Sequence, residues 1–428
     1  MRDAENSNPA GSNGRGSSER AGNESDTSGP ASSEYVIRLF DDPSAIDAAQ
    51  WNALLARAAA PTPFMRHEYL CALHASGSAT RETGWAACFI GVFESRAHDA
   101  PLVAACPLYF KDHSYGEYVF DWAWAEAYQR HGLAYYPKLV CAVPFTPVPG
   151  ARLLVREDGL RRVLLEAIER FARESGSSSA HLLFLDDAEQ RAARDAGWML
   201  RSTVQFHWTN RRPEPYADFA AYLASLQRDK RKKINQERRK VADAGVRFET
   251  RIGREIETAD WDFFHRCYTL TYRAHHSTPY LTRDFFARIA ATQPEHWLLF
   301  IASRAGERIA TSLIAIDAER GHAYGRYWGA TAAVDCLHFE ACYYQPLAWC
   351  IANGYRRFEG GAQGAHKMAR GLLPVATASA HWLAHPQFAQ AVADFLQREG
   401  EAVAGYLDEL DEHGPFKAAP TEGDSTSI

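Results

Sequence analysis

Residues 358–371, FEGGAQGAHKMARG, set Gly360, Gly361, Gly364 and Gly371 among Gln363, His366, Lys367 and Arg370. A loop that only turns needs one or two glycines. Several together let the backbone approach a ligand closely, with N–H groups facing it. Lys367 and Arg370 lie three apart, so on a helical turn they project to one side. With the loop amides they suit a phosphate or a carboxylate. The competing reading is a solvent-exposed loop with two solvated cations.

Proton chemistry has candidates on either side of this loop. Aminolysis of an ester or thioester needs a neutral amine, a place for its proton and donors for the oxyanion. Glu340, His338, Glu359 and His366 are candidate bases, with Asp121 from the N-terminal half. Tyr344 stands four residues after Glu340, one helical turn away. A core-packing helix start, with Glu340 near its N-terminal end, is the plainer account of HFEACYY (338–344). Arg326 is a charge in the aromatic strand GRYWG and calls for a fixed carboxylate, structural or substrate. No Gly-x-Ser-x-Gly motif is present, and Cys336 and Cys342 read as buried thiols. No His-Glu-x-x-His or comparable spacing points to a metal.

These residues need a scaffold. YVIRLF (35–40) reads as a strand, followed by two helical patterns and the strands WAACFIGVF (85–93) and PLVAACPLYF (101–110). VRFET (246–250), two further helical patterns, WLLFIASR (297–304) and RIATSLIAID (308–317) repeat the order at nearly the same spacing. Two copies of one α/β unit are expected. GHAYGRYWGA (321–330) continues the second sheet, and LHFEACYYQPLAWCIANG (337–354) is an apolar helix that Pro346 should kink or split. YRRFEGG (355–361) is a short strand, so the glycine loop falls at a strand's C-terminal end, where open α/β sheets bind ligands.

The chain has 428 residues, 46% of them hydrophobic, with a net charge of −6. That is room for two cored domains and excludes a general polyanion binder. Eight cysteines without a Cys-x-x-Cys pair read as buried thiols in a reducing compartment. No apolar run reaches membrane-spanning length, and residues 1–34 are polar with no hydrophobic segment. A cytoplasmic protein is expected, with disorder over 1–34 and again after about Pro415.

RDKRKKINQERRK (228–240) carries a net +6. Leu223, Leu226, Ile234 and Val241 at near-helical spacing make it an amphipathic helix with a dense cationic face. It is either a solvated face or a contact for phosphates of tRNA, a CoA-type cofactor or lipid headgroups. In the first half, YYPKLVCAVPFTPVPGARLL (135–154) holds prolines at 137, 144, 147 and 149. They exclude helix and predict a rigid ribbon, able to wall a cleft with Lys138 and Arg152 near its ends. Glu117 and Asp121 sit among aromatics, where raised carboxyl pKa values are expected.

GRYWGA, LHFEACYYQ, FEGGAQGAHKMARGLLP, SYGEYVFDWAWAEAY and YYPKLVCAVPFTPVPGARLL together resemble a bacterial FemAB-like family. It is labelled peptidoglycan biosynthesis/recognition and belongs to the GNAT-like acyl-CoA N-acyltransferase superfamily. The resemblance spans roughly 35–400. It implies two GNAT-like domains (35–210 and 211–410) with mixed sheets flanked by helices, and a flexible tail over 411–428. It also implies transfer of an acyl or aminoacyl group to an amine, such as that of a cell-wall-precursor-like substrate, with no tightly bound cofactor and with acyl-CoA or aminoacyl-tRNA as co-substrate. The acceptor class is a small-molecule or peptide-like amine. The family loop reads Gly-Ala-Gln-Gly-Glu-His-Lys, and Ala365 here replaces its glutamate. That replacement keeps a second reading open, a catalytically silent module that binds an anionic peptide-like ligand. Arg357, Gly360 and Ala362 also fit the loose acyl-CoA pattern Arg-x-x-Gly-x-Ala, though no clear helix follows it.

Overall fold

The strand–helix–helix–strand order appears in both halves of the computed structural model, which describes residues 35–361 and 364–417. In the first half β1 (Val36–Phe40) precedes α1 (Ala48–Arg57) and α2 (His67–Ala75). Four short strands follow: β2 (Ala86–Ala87), β3 (Phe89–Phe93), β4 (Leu102–Cys106) and β5 (Tyr109–Lys111). The chain continues through α3 (Trp122–Arg130), β6 (Lys138–Cys141), β7 (Leu154–Val155), α4 (Leu160–Glu174), β8 (Ser179–Leu185), α5 (Asp187–Asp195) and β9 (Met199–Thr209).

The second half opens with α6 (Phe219–Ser225) and α7 (Arg228–Asp243). Next come β10 (Val246–Ile252), α8 (Thr258–Ala274), α9 (Arg283–Thr292), β11 (Trp297–Arg304), β12 (Glu307–Asp317) and β13 (His322–Ala330). A short α10 (Leu337–Phe339) runs into a π-helical turn (Glu340–Tyr344) and α11 (Gln345–Ala352). The chain ends through β14 (Arg357–Glu359), β15 (Leu373–Leu383) and the long α12 (Pro386–Glu412). Asp47, Asp218 and Thr282 cap α1, α6 and α9 by accepting a backbone N–H from the first turn.

Two of the expected long strands are divided. WAACFIGVF breaks at Cys88, whose N–H turns to the Leu108 carbonyl, and PLVAACPLYF breaks at Pro107, which has no N–H to give. The division lets β2 and β5 join one sheet while β3 and β4 join another. The smaller sheet has the order β1-β3-β4-β7. The larger has eleven strands in the order β10-β11-β12-β13-β14-β9-β15-β8-β6-β5-β2. Its β13/β14 and β6/β8 pairs are parallel and its other pairs antiparallel, so it is a mixed sheet drawn from both halves, with helices packed on it. Strand β15, late in the chain, lies between β8 and β9.

Pro346 is the second residue of α11, and the helical path from Leu337 to Ala352 takes it up without a break by way of the π turn Glu340–Tyr344 just before α11. Part of the C-terminal tail is docked rather than free. Pro415 is buried, and Phe416 bridges to Leu226. Residues 1–34 and 418–428 lie outside the described residues, as does Gln363.

Candidate functional site

β13 and β14 run parallel for only three register pairs, His322 to Arg357, Ala323 to Phe358 and Tyr324 to Glu359. β14 then ends in the glycine loop while β13 runs on to Ala330, so the two strands part company. A bulge in β13 skips Arg326, between the pairs Leu313–Tyr327 and Ile314–Gly325. The gap is a cavity of about 140 Å³ lined by Ser312, Gly325, Tyr327, His338, Cys342 and Gly360, among others. It opens at the C-terminal end of a parallel pair, the place predicted for a ligand.

His338 stands at the cavity mouth, with Trp328 at 5.4 Å and Tyr343 at 5.7 Å between ring centroids. The residue is exposed overall, while its ring lies against the cavity wall and its aromatic neighbours. That partial burial, with His366, Arg370 and Lys367 nearby, lowers its pKa to about 4, so it is a neutral imidazole near pH 7. His366 lies 5.9 Å from Phe339 and 6.2 Å from Tyr343 by ring centroid, and burial and the same cations lower its pKa too.

Lys367 is buried, and its Nζ donates to the Gly361 carbonyl at 3.1 Å. Burial brings its pKa down to about 8. Cys342 is itself pushed up to about 12 by burial and has the Ser312 hydroxyl 3.9 Å from its sulfur, so it is a thiol and not a nucleophile near neutrality.

The expected Lys367–Arg370 pair does not present itself to solvent. The 3₁₀ turn Ala365–Arg370 turns both inward. Arg370, 2% exposed, gives its Nη2 to both oxygens of Glu237 at 2.9 Å and its Nη1 to the His366 carbonyl at 2.7 Å. Its guanidinium also lies 3.6 Å over the Phe339 ring. Tyr344 donates its hydroxyl to the same Glu237 and is a buried support, not a cavity residue. The anion that Arg370 needed is therefore internal, and it comes from the helix read as a cationic face.

The glycines serve packing as much as ligand approach. The Gly360 N–H, expected to be free, donates to the Phe206 carbonyl at 2.9 Å. A Cβ there would stand 2.4 Å from Leu372 Cδ2. Gly361 and Gly364 have φ of 79° and 99°, which favours glycine. Arg326 has no carboxylate within salt-bridge distance among the described residues. It donates to the Phe145 carbonyl at 2.8 Å and the Tyr327 hydroxyl at 3.0 Å, packs on the Phe64 and Tyr327 rings, and leaves Nε without a partner.

Glu340 faces a different cavity. Both its oxygens accept from Arg238 Nε at 3.2 Å and one from Gln345 at 2.8 Å, beside a groove of about 600 Å³ between α7 and β10. His338 and Glu340 thus serve opposite sides of the same turn, as a two-residue spacing on a helix requires. Glu359 is absent from the cavity wall because its strand neighbours Phe358 and Gly360 take that face. Burial raises its carboxyl to about 7 against the pull of Arg357, Arg326 and Arg152.

Asp121 is not part of this constellation. It sits in a buried network with Lys138, whose Nζ also reaches Glu117 and Ser114 at 2.8 Å each. Burial alone would raise its pKa, but the Lys138 ammonium outweighs it and holds Asp121 well below the usual carboxylate range, the reverse of the expectation. Glu117 does rise, to about 7, chiefly through burial. Lys138 and Arg152, expected at the edges of a cleft, are both 0% exposed. Prolines keep this ribbon irregular, but it is a strut of the core.

Glu237, the buried carboxylate that holds Arg370 and Tyr344, is the residue behind the site that sequence reasoning missed. Its only signal was an acidic residue on the same helical face as Ile234 and Val241. Among the described residues no group of histidines, cysteines and carboxylates could hold a metal.

The family described as FemAB-like, peptidoglycan biosynthesis/recognition, matches residues 42–418. No curated protein matches the sequence. Solved structures with partial likeness include a C-terminal DUF2156 domain from Agrobacterium fabrum, at 12% identity and a TM-score of 0.48 over 81% of this chain and 95% of that one. An L-PGS from Bacillus licheniformis has 11% identity and the same TM-score over 82% and 97%. A tandem GNAT protein from the clavulanic acid biosynthesis pathway has 13% identity and a TM-score of 0.38 over 82% and 99%.

Proposed function

The chain belongs to the FemAB-like family of peptidoglycan biosynthesis/recognition, and on that premise we propose that it transfers an acyl or aminoacyl group to an amine. The observation that carries the reading is the cavity where β13 and β14 part, with a neutral histidine at its mouth and a buried lysine behind its wall. The donor's carbonyl enters the gap. The attacking amine, once neutral, places its N–H against His338, which accepts the hydrogen bond and passes the proton to water. The Lys367 ammonium, held behind the wall on the Gly361 carbonyl, favours the negative charge that develops on the carbonyl oxygen through its field and not by direct contact. The bond from carbonyl carbon to the leaving oxygen or sulfur breaks as the amide forms. Two GNAT-like units, 35–210 and 211–410, are the domain division this reading adopts. Among the described residues no helix is long and apolar enough to cross a membrane, and the eight cysteines are unbridged, which supports a cytoplasmic site of action.

This assignment fixes a pH dependence. Lys367 works as an ammonium with a pKa of about 8, so the rate should fall as pH rises through about 8. Lys367→Arg keeps the charge at every accessible pH and should remove that falling limb. A limb that persists unchanged in the arginine variant would exclude Lys367 as its source.

The donor is either acyl-CoA or an aminoacyl-tRNA, and α7 favours the larger anion. Lys232, Lys233 and Arg239 are exposed there, and the ion pairs of the helix among the described residues involve Lys230, Glu237, Arg238 and Lys240 instead. About four phosphate contacts would make tRNA affinity fall roughly a hundredfold between about 50 and 200 mM salt. Replacing Lys230, Lys232 and Lys233 with glutamine should flatten that slope, as filter binding would read. An unchanged slope would remove α7 from the donor site. The second reading, a silent recognition module, is favoured by Ala365 standing where the family has glutamate.

A further inference from the structure

The groove between α7 and β10 has no role in the transfer chemistry, yet it is the larger of the two cavities beside the π turn, at about 600 Å³. The Glu340 carboxylate on its wall is already matched by Arg238 and Gln345, and the rest of its lining falls into three chemical parts. Arg238 and Arg239 are the cationic part. Arg238 spends its Nε on Glu340, leaving both Nη groups of the fork for another partner. Arg239 is exposed, and among the described residues no carboxylate lies within salt-bridge distance of it. Val241, Val246 and the half-buried ring of Phe248 form an apolar floor at the sheet's edge strand. Asn235 adds an amide able to donate and accept, and Gln345, whose Nε2 is engaged by Glu340, adds a carbonyl oxygen that accepts.

We infer that this groove is a nucleoside-phosphate subsite. Its ligand lays a flat, polar-edged ring against Phe248 and sets its phosphate on the Arg238–Arg239 fork. A purely anionic ligand would not use the apolar floor, and a purely apolar one would leave two guanidinium groups facing it. Helical spacing supplies the direction of approach. Lys232, Asn235, Arg239 and Ala242 recur on one face, so a chain of phosphates reaching the groove would run along the exposed stripe from Lys232. The inference rests on the transfer reading, since it assigns the nucleotide end of the donor to this groove.

The same chemistry is offered by a free nucleotide and by the end of a nucleic-acid strand. Calorimetric titration of the full chain with AMP, inorganic pyrophosphate and a short single-stranded RNA tests it. AMP should bind more tightly than pyrophosphate, and Arg239→Gln should weaken AMP by roughly tenfold, the loss of one charge-assisted contact. Arg239 is exposed, so the variant should fold, and an unchanged melting temperature checks this. Phe248→Leu, which keeps the floor apolar but removes the ring, should weaken AMP while leaving pyrophosphate unaffected. A strand-end ligand shows as RNA binding that Lys232→Gln weakens while AMP binding stays the same; equal insensitivity of both assigns the groove to free nucleotides. Pyrophosphate binding as tightly as AMP, or AMP binding that survives both variants, would overturn the subsite. Because these are equilibrium measurements without acceptor, nucleotide binding with no transfer would count against the function alone, and transfer without nucleotide binding against the subsite alone.

Discussion

Glu237→Ala should destabilise the fold by about 3–5 kcal/mol, the usual cost of removing one partner from a buried ion pair. Arg370 would keep its charge at 2% exposure with no carboxylate against it, and the Tyr344 hydroxyl would lose its acceptor. The remaining contacts of Arg370, the His366 carbonyl and the Phe339 ring, cannot replace a carboxylate. The double variant Glu237→Leu with Arg370→Met should recover most of the loss, because it removes the stranded charge as well as its partner. Urea unfolding at neutral pH measures both. A single variant within about 1 kcal/mol of the wild type would mean that the clamp does not hold the loop.

That clamp marks the boundary of what the sequence discloses. α7 is legible because Ile234 and Val241 recur at helical spacing, and its exposed lysines follow from the same pattern. Glu237 shares their face, but its partner lies 133 residues away, and local spacing carries no information about such a partner. The loop's position at the end of a strand was readable for the same local reason. The inward turn of Lys367 and Arg370 was not, since it depends on Phe206, Leu372 and Glu237 packing around the loop. The repeated α/β order is written in both halves, whereas the insertion of β15 between β8 and β9 depends on pairing across about 170 to 200 residues. Asp121 shows the same limit in its electrostatics. Aromatic neighbours suggested a raised pKa, and Lys138, seventeen residues on, reverses the sign.

His338→Ala should lower the rate of transfer by about 10²–10⁴-fold, the usual worth of a positioned acid–base group. The residue is exposed and its ring makes only aromatic edge contacts with Trp328, Phe339 and Tyr343, so the fold should change by no more than about 1 kcal/mol. A structural role would give the opposite pattern, a lowered melting temperature with the residual rate per folded molecule intact. The most direct measurement is single-turnover transfer, followed by mass spectrometry. Acyl-CoA and aminoacyl-tRNA are offered in turn as donor, with a peptide-like primary amine as acceptor, to the wild type and to His338→Ala. The account predicts an amide product from one donor in the wild type and loss of that rate in a variant that melts at the same temperature. Equal rates in the two proteins, or acceptor binding with no product from either donor, would contradict it.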